Sequence, residues 1–468
     1  MDEKKKAPGC PVWKPAWAGT DVTVADMMEA RDRRAERQRA LLLQYGETLL
    51  CFTMNIPGPV KDSPLIREGF ALGRRALRRA FLRAGIKPLH QEESLAFTGC
   101  EAFCVLPFPP LAVKRLTAEI EEASPLGRLF DLDVLRPDGT KVDRQEIGLP
   151  GRRCLLCGEI AQACARARRH TVPELQEKTR EILETALREA VSERIASLAC
   201  RALLYEVNVT PKPGLVDRQN SGSHRDMDCF TFSASATALF PYFSRCAAAG
   251  FDLAARPALE TFAAIRPLGK EAEGAMLEAT GGVNTHKGAI FSLGLLSAAA
   301  GRQRSACALS SGAVLDICRE MAAGLTERDF SGLTAETART AGQRLFLAHG
   351  ITGVRGQAEA GFPLIRDTGL PKLRAALAAG RSVNEAGCAA LIALMAQNTD
   401  TNVIHRGSLA AQRRVAEEAA RLLEGEPVPS RESLEAFDRQ LIAENLSPGG
   451  SADLLSLCFF LLFLKEDA

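Results

Sequence analysis

The sequence has almost no excess of charge of either sign, since 59 lysines and arginines stand against 57 acidic residues and leave a formal net charge of +2. A balanced chain lacks the global electrostatic footprint of proteins that bind nucleic acid or a membrane surface, so any polyanion must be bound locally. Long apolar runs are missing too. The longest, Leu454 to Leu464, is too short for a bilayer, which needs about 20 residues. We therefore expect neither a nucleic acid nor a membrane as a partner.

The sequence also lacks the features of an exported protein. The segment Met1 to Pro15 is charged and contains proline, without the apolar stretch that a secretory signal requires. The 14 cysteines are scattered, often inside apolar runs as with Cys200, Cys388 and Cys458, which indicates buried free thiols rather than a disulfide framework. We expect a cytoplasmic protein in which roughly the first 20 residues are flexible.

The length and the local patterns predict two domains. A chain of 468 residues exceeds one ordinary core, and the sequence has no internal repeat. Helical and strand-like segments alternate up to about residue 178, with strands predicted over Thr48–Met54, Ala102–Leu106 and Phe130–Leu135. From residue 179 onward, Ala- and Leu-rich helices are separated by polar loops. We predict an α/β or α+β domain over 1–178 and an all-α domain over 179–468. The loops of the second domain are predicted near 208–224, 266–270, 281–288, 350–362, 398–408 and 446–451.

Asp131 and Asp133 form the first candidate site. Two residues apart on a predicted strand, they point to the same face. Such a pair can hold Mg²⁺ against a triphosphate, which is the usual arrangement for nucleotidyl transfer and predicts a nucleotidyltransferase-like domain. Alone, the pattern equally suits two solvated acids. Arginine binds phosphate bidentately, although any single arginine also suits an ordinary surface. Four lie near the pair in sequence: Arg128, Arg144, Arg152 and Arg153.

A Cys-x-x-Cys motif follows at Cys154 and Cys157, with Cys164 and His170 further along. These residues would make a Cys₃His zinc set, but the second pair lacks the usual spacing of zinc ligands. A redox pair is disfavoured because no thioredoxin-like βαβ unit precedes the motif. The sequence therefore favours metal-free thiols beside the arginines over zinc at Cys154 and Cys157.

The loops of the second domain concentrate residues that bind phosphate and metal. The first is stiffened by two prolines, and another places its basic residues at a predicted helix start, where unpaired N–H groups bind anions. Each loop alone also suits a polar surface, but five in one helical domain favour a site for a metal-bound triphosphate. The candidate residues are Lys212, Asp217, His224, Asp226, Asp228, His286, Lys287, Arg355, Asp400 and Asp453.

With these motifs assembled, the sequence resembles two families joined end to end. Residues 25–175 resemble the phosphoribosyl-dephospho-CoA transferase of citrate lyase, through the motifs at 52–61, 127–134 and 152–157, the last together with Cys164 and His170. Residues 190–468 resemble triphosphoribosyl-dephospho-CoA synthase. That resemblance rests on the motifs at 206–217, 222–228, 283–288, 352–356 and 448–455. The second resemblance leads us to expect an acid directly after Arg355-Gly356, where this chain has Gln357. Glu359 is therefore expected to be the acid of that loop.

The resemblance implies two coupled reactions. The C-terminal domain would join the triphosphoribosyl unit of ATP to the 2′-hydroxyl of 3′-dephospho-CoA and release adenine. The N-terminal domain would transfer the product to a serine of the acyl-carrier subunit of citrate lyase and release pyrophosphate.

The resemblance also implies roles for the candidate residues. In the synthase reaction, Lys212, His286, Lys287 and Arg355 would bind the triphosphate. Asp217, Asp228, Asp400 and Asp453 would bind Mg²⁺, and His224 or Asp226 would act as the base. In the transfer reaction, Asp131 and Asp133 would hold Mg²⁺. The phosphates would be neutralised by Lys61, Arg128, Arg144 and Arg152. Two alternatives stay open: the carrier of malonate decarboxylase as the acceptor, or a nucleotide-binding protein without catalysis.

Overall fold

The computed structural model describes residues 19–304, 309–424 and 428–466. The flexible N-terminal segment predicted from the sequence lies outside these ranges, apart from its last residues. The chain divides into two compact units, Met1–Ala190 and Val191–Ala468. The predicted join between residues 178 and 179 stays a prediction.

Helices and strands alternate in the first unit. In chain order they are α1 (Val24–Tyr45), β1 (Thr48–Met54), α2 (Pro64–Arg83), β2 (His90–Ala96), β3 (Gly99–Leu106), α3 (Pro110–Glu122), β4 (Phe130–Leu135) and α4 (Ala161–Arg166), with 3₁₀ turns at Leu126–Leu129 and Arg144–Ile147. α5 (Val172–Asn208) follows. The strands predicted over Thr48–Met54 and Phe130–Leu135 form with those bounds.

The four strands make one sheet in the order β2-β3-β1-β4, and every neighbouring pair is antiparallel. The first unit is therefore of the α+β rather than the α/β kind. Strand β2 was not predicted from the sequence. It is an edge strand in which most side chains are polar and exposed, so it has little of the apolar alternation that marks a strand.

One face of the sheet packs against α1. Cys51 of β1 belongs to this buried layer, and Asp133 is its partner on β4. Because paired residues of an antiparallel sheet share a face, Asp131 and Asp133 both lie on the α1 side. The buried layer consists of Leu41, Leu42, Leu49, Cys51, Phe103, Val105 and Leu135.

Every regular element that the described residues of the second unit form is helical. After α5 these are α6 (Cys229–Ala238), α7 (Phe240–Asp252), α8 (Ala258–Ala279), α9 (Lys287–Arg302), α10 (Ser311–Met321), α11 (Leu325–Phe330), α12 (Ala341–His349), α13 (Gly353–Glu359), a π-helical turn (Ile365–Gly369), α14 (Leu370–Ala378), α15 (Val383–Gln397), α16 (Thr401–Arg406), α17 (Leu409–Leu422), α18 (Arg431–Ala443) and α19 (Gly449–Glu466). None of the described helices is long and apolar enough to cross a membrane.

The loop predicted at 266–270 is wrong, because these residues lie inside α8 with Pro267 in its interior. A proline removes one backbone hydrogen bond from a helix, but packing can outweigh that loss. The buried face of α8 continues on both sides of the proline, with Phe262 and Ile265 before it and Ala272 and Met276 after it.

Buried helices form the centre of the second unit. α7 and α9 approach so closely that a Cβ on Gly250 would lie 1.9 Å from the carbonyl oxygen of Ala298. α9, α15 and α19 are buried over most of their residues. Polar loops precede α6, α9, α16 and α19, and their residues open onto one cleft.

Candidate active sites

The second unit contains a cleft of about 1090 Å³ that is lined by these loops and by the first turns of the helices they precede. Seven of the residues assigned to the synthase reaction line it: Lys212, His224, Asp226, His286, Lys287, Arg355 and Asp453. The fold thus brings together side chains that are separated by up to 241 positions (453 − 212) in the sequence.

Lys212 and Glu206 form a buried ion pair in the wall of the cleft. Lys212 is only 1% exposed, and its Nζ donates to the Glu206 carboxylate. Its position is fixed by the loop, because its backbone N–H donates to Asp217 at 2.9 Å. Burial raises the pKa of Glu206, and Lys212 opposes that rise. A cation of this kind is stable only while its counter-ion is present.

Asp453 is the fifth residue of α19 and lies against the first turn of α9. A Cβ on Gly288 would lie 2.0 Å from its Oδ2 atom. Burial raises the pKa of Asp453 well above its usual range, and the nearby carboxylates of Glu206 and Asp400 raise it further. Two carboxylates, Glu206 and Asp453, therefore lie in the lining of the cleft within each other's electrostatic influence.

We expect Gly288→Ala to slow adenine release on the order of 10²-fold, because the new methyl group overlaps Asp453 and must displace it. The matched control is Gly274→Ala. Gly274 lies in α8 with open space around the position of a Cβ, so its replacement should leave the rate unchanged and stabilise the helix by about 0.5–1 kcal/mol. Equal rates for both variants would contradict the placement of Asp453 in the site.

A chain of two hydroxyls contacts the ring of His286. The Thr285 hydroxyl donates to Ser235 Oγ at 2.8 Å, and Ser235 Oγ lies 2.7 Å from His286 Nδ1. In the tautomer in which Ser235 donates to Nδ1, Nε2 carries the proton of the neutral ring. Nε2 is buried without a hydrogen-bond partner among the described residues. Burial, assisted by Lys212, lowers the pKa of His286 to about 3.

The pKa of His286 predicts an acid instability of the second unit. The unfolded chain binds a proton on this histidine below its ordinary pKa of about 6.5, whereas the folded protein does not until about pH 3. The free energy of unfolding should therefore fall as the pH decreases from 6.5 towards 3, with a limiting contribution of about 1.4 kcal/mol per pH unit. Denaturant unfolding at pH 7.5 and 5.5 measures this slope, which should be smaller in His286→Gln. An unchanged slope would contradict the assignment.

His224 contacts two groups at the opening of the cleft. Its Nδ1 lies 3.2 Å from a guanidinium nitrogen of Arg406, and its Nε2 lies 2.9 Å from Ser447 Oγ. Burial and Arg406 lower the pKa of His224, which favours the neutral ring. A guanidinium is always a donor, so the unprotonated nitrogen already accepts from Arg406. Asp226 lines the same cleft with an exposed side chain.

Lys287 and Arg355 supply positive charge on other walls of the cleft. Lys287 pairs with Glu273 at 2.8 Å, and Arg355 pairs with Asp329 at 2.8 Å. Gln357 also lines the cleft. Glu359, the acid expected in place of Gln357, does not line the cleft. Its carboxylate instead accepts hydrogen bonds from the backbone N–H and the hydroxyl of Thr326.

Three acids predicted as metal ligands have other partners in the structure and do not line the cleft. Asp217 accepts three backbone hydrogen bonds within its own loop, at 2.7–3.1 Å. Asp228 caps α6 through Thr231. Asp400 accepts four bonds at 2.7–3.3 Å from the starts of α16 and α19. The carboxylate oxygens of these three acids stabilise loops and helix starts through hydrogen bonds.

The sequence interpretation missed several residues of the cleft. Glu206 was quoted in a motif but given no role, because it lies near the end of a long helix and only the fold places it beside Lys212. His405 and Arg406 lie within the segment predicted as a loop at 398–408, and this pair of adjacent basic residue types was the available signal. Asn402 and Ser447 also line the cleft.

In the first unit, the structure pairs the two acids of β4 with cations. Asp133 lies 2.5 Å from Lys141 Nζ, and Asp131 lies 3.7 Å from Arg152. Burial and the neighbouring Asp133 raise the pKa of Asp131, while Arg152 opposes the rise. The two carboxylates thus sit on one face within each other's electrostatic influence.

Three of the four predicted phosphate ligands of this unit lie together. Arg128, Arg144 and Arg152 line a pocket of about 270 Å³. Arg144 pairs with Glu121 at 2.7 Å and also with Glu122, and Arg152 donates to the backbone carbonyl of Phe130. Lys61 is not part of this pocket. Its Nζ donates to the backbone carbonyl of residue 56, and burial lowers its pKa.

Two family models match the chain. The model described as ATP:dephospho-CoA triphosphoribosyl transferase matches residues 192–468, and the model described as apo-citrate lyase phosphoribosyl-dephospho-CoA transferase matches residues 22–186. The chain belongs to both families. These matches confirm the resemblance inferred from the motifs, and the chain is accordingly a transferase with two catalytic domains.

Two curated relatives match nearly the whole length of the chain, and a third matches part of it. "Protein CitXG" of Haemophilus influenzae is 39% identical over 459 residues, covering 96% of this chain and 97% of the relative. "Protein CitXG" of Leuconostoc mesenteroides is 30% identical, with 95% and 97% covered. A probable 2-(5''-triphosphoribosyl)-3'-dephosphocoenzyme-A synthase of Albidiferax ferrireducens is 46% identical, covering 59% of this chain and 92% of the relative.

Proposed function

We propose that the cleft of the second unit binds ATP and 3′-dephospho-CoA, and that the face carrying Asp131 and Asp133 attaches the product to the acyl-carrier subunit of citrate lyase. Making and attaching this prosthetic group is the function of the chain. The observation that carries the assignment of the first step is the convergence of Lys212, His286 and Asp453 in one cleft. Cations and neutral donors at helix starts suit a nucleoside triphosphate.

In the first step, the bond between the ribose C1 of ATP and adenine breaks, and a bond from C1 to the 2′-hydroxyl oxygen of dephospho-CoA forms. The hydroxyl loses its proton and the departing adenine gains one. Asp226 is the better base in this arrangement, because the basic nitrogen of His224 is occupied by Arg406. His286 would donate from Nε2 as a neutral group, in the tautomer in which Ser235 donates to Nδ1.

The triphosphate would be bound by Lys287, Arg355 and Arg406, with Lys212 beneath it. Glu206 and Asp453 fit Mg²⁺, because they are carboxylates in the lining of the cleft and Asp453 has little other bonding. Asp217, Asp228 and Asp400 are left out of the proposed metal site, since they do not line the cleft. When bound, the metal would neutralise charge on the triphosphate.

In the second step, a serine hydroxyl of the carrier attacks the phosphorus nearest the added ribose. A phosphorus–oxygen bond to serine forms, the bond to pyrophosphate breaks, and the serine proton is released. Asp131 and Asp133 fit Mg²⁺ because both are partly exposed on one face. Arg152 and Lys141 lie beside them and would neutralise charge on the phosphates.

Carrier labelling tests this function. The purified chain is incubated with ATP, Mg²⁺, 3′-dephospho-CoA and the apo form of the citrate lyase carrier, and the carrier is weighed by mass spectrometry. We expect the mass of the phosphoribosyl-dephospho-CoA unit to be added at one serine, and less addition to the malonate decarboxylase carrier. Preferential labelling of the malonate decarboxylase carrier would contradict the proposed client, and labelling of neither carrier would contradict the second step.

A further inference from the structure

Four potential metal ligands that neither proposed reaction uses lie together in the first unit. They are Cys154, Cys157, Cys164 and His170, and one ligand atom from each lies within 4.8 Å of the other three. The sulfurs of Cys157 and Cys164 are 3.9 Å apart. Zinc–sulfur bonds of about 2.3 Å at tetrahedral angles place two sulfurs roughly 3.8 Å apart. The cluster therefore has the dimensions of a tetrahedral zinc site.

The backbone around the first two cysteines forms a tight turn. Arg153 and Ile160 are bridged as antiparallel partners, and the backbone N–H of Cys154 donates to the carbonyl of Glu159 at 2.6 Å. Gly158, directly after Cys157, has φ of +74°, a conformation that favours glycine. Both cysteines are thus presented from one side of a closed loop.

The other two potential ligands, Cys164 and His170, are brought next to this loop by α4 and by the turn that follows it. α4 carries Cys164, and Arg168 then takes the left-handed conformation with φ of +44°, which turns the chain before His170. The spacing of Cys164 and His170 in the sequence differs from that of common zinc ligands, which is why the sequence disfavoured zinc. Only the fold shows that both residues lie next to Cys154 and Cys157.

His170 provides an independent observation. Its Nε2 atom is buried and has no hydrogen-bond partner among the described residues. Leaving a buried polar atom unpaired costs about 1–3 kcal/mol, so such an atom indicates a missing partner.

All cysteines in the described part of the chain are free. The 3.9 Å between the sulfurs of Cys157 and Cys164 is far longer than the S–S bond of about 2.05 Å in a disulfide.

We propose that Cys154, Cys157, Cys164 and His170 bind one Zn²⁺ as a closed structural site. Four protein ligands leave no open position for a substrate, so the metal is not catalytic. Its consequence, which rests on the proposed function, is to position Arg152. This arginine precedes Cys154 by two residues, donates to the Phe130 carbonyl and lies beside Asp131.

Metal content tests the site without any substrate. The full-length chain is expressed with zinc, and bound zinc is measured by elemental mass spectrometry. We expect about one zinc per chain, at least tenfold less in Cys164→Ser and in His170→Asn, and no change in Cys200→Ser. Cys200 is a partly buried thiol outside the cluster whose hydrogen bond to a carbonyl a serine can replace. Zinc equal in all four proteins, or in none, would overturn the site.

Because the loss of a ligand from a structural metal site also impairs folding, the wild-type chain supplies a second measurement. Its zinc is exchanged for Co²⁺, and the visible spectrum is recorded. Tetrahedral ligand-field bands with sulfur-to-cobalt charge transfer support the site, whereas an octahedral spectrum or a disulfide between Cys157 and Cys164 in the mass spectrum overturns it. Removal of zinc by a chelator should slow carrier labelling at least tenfold with adenine release unchanged. Unchanged labelling would overturn the positioning of Arg152 alone.

Discussion

Replacing Asp131 by asparagine is expected to slow carrier labelling on the order of 10²-fold or more, while adenine release continues at the wild-type rate. The change removes one of two carboxylates that share a face of the sheet in the first unit. It should not destabilise the protein, because burial and Asp133 already disfavour the ionised form of Asp131. A loss of activity without a loss of stability identifies a functional carboxylate.

The matched control is Asp138→Asn, an exposed acid in the turn after β4. Its side-chain oxygen accepts from the backbone and hydroxyl of Thr140, a role that an amide oxygen can keep. Carrier labelling is supplied with purified triphosphoribosyl-dephospho-CoA, so that the first reaction does not limit the rate. Wild-type labelling by Asp131→Asn would remove the acid pair from the mechanism. A parallel loss of adenine release would show that the two activities are not separable.

The second large effect concerns the buried pair of Lys212 and Glu206. Lys212→Met should lower the free energy of unfolding of the second unit by about 3–5 kcal/mol, because it leaves a buried carboxylate without its counter-ion. The double variant Lys212→Met, Glu206→Gln should recover most of that loss, since neither buried charge remains. Adenine release should be abolished in both variants.

Denaturant unfolding and adenine release measured on the same preparations separate stability from activity. Recovery of both in the double variant would assign the pair to folding alone. Failure to recover stability would contradict the buried ion pair itself, because the double variant removes the uncompensated charge.

Local patterns predicted most of the fold where side-chain alternation and caps are strong. The strands at Thr48–Met54 and Phe130–Leu135 have the predicted bounds, and α1 begins with a capping box at Thr23. Strand β2 was missed because hydrogen bonds to its neighbour, rather than its own composition, make it a strand. The false break at Pro267 has the opposite cause, since the packing of α8 overrides a local helix breaker.

The sequence predicted those site residues that are polar or charged and stand in or next to the loops between apolar helices. Lys212, His286 and Asp453 follow from that reasoning. The sequence could not separate acids that face the cleft from acids that cap helices, because the separation depends on which distant backbone groups their oxygens meet. Asp400 illustrates this, since two of its partners lie about 50 residues away at the start of α19.

One chain carries out both reactions, and a measurement of adenine release tests the first of them, the synthase reaction, most directly. The wild-type chain is mixed with ATP, Mg²⁺ and 3′-dephospho-CoA, and the products are resolved by chromatography and mass. We predict adenine only when both substrates are present, together with a dephospho-CoA product heavier by a triphosphoribosyl unit. ADP or AMP in place of adenine, or adenine formed without dephospho-CoA, would contradict the account.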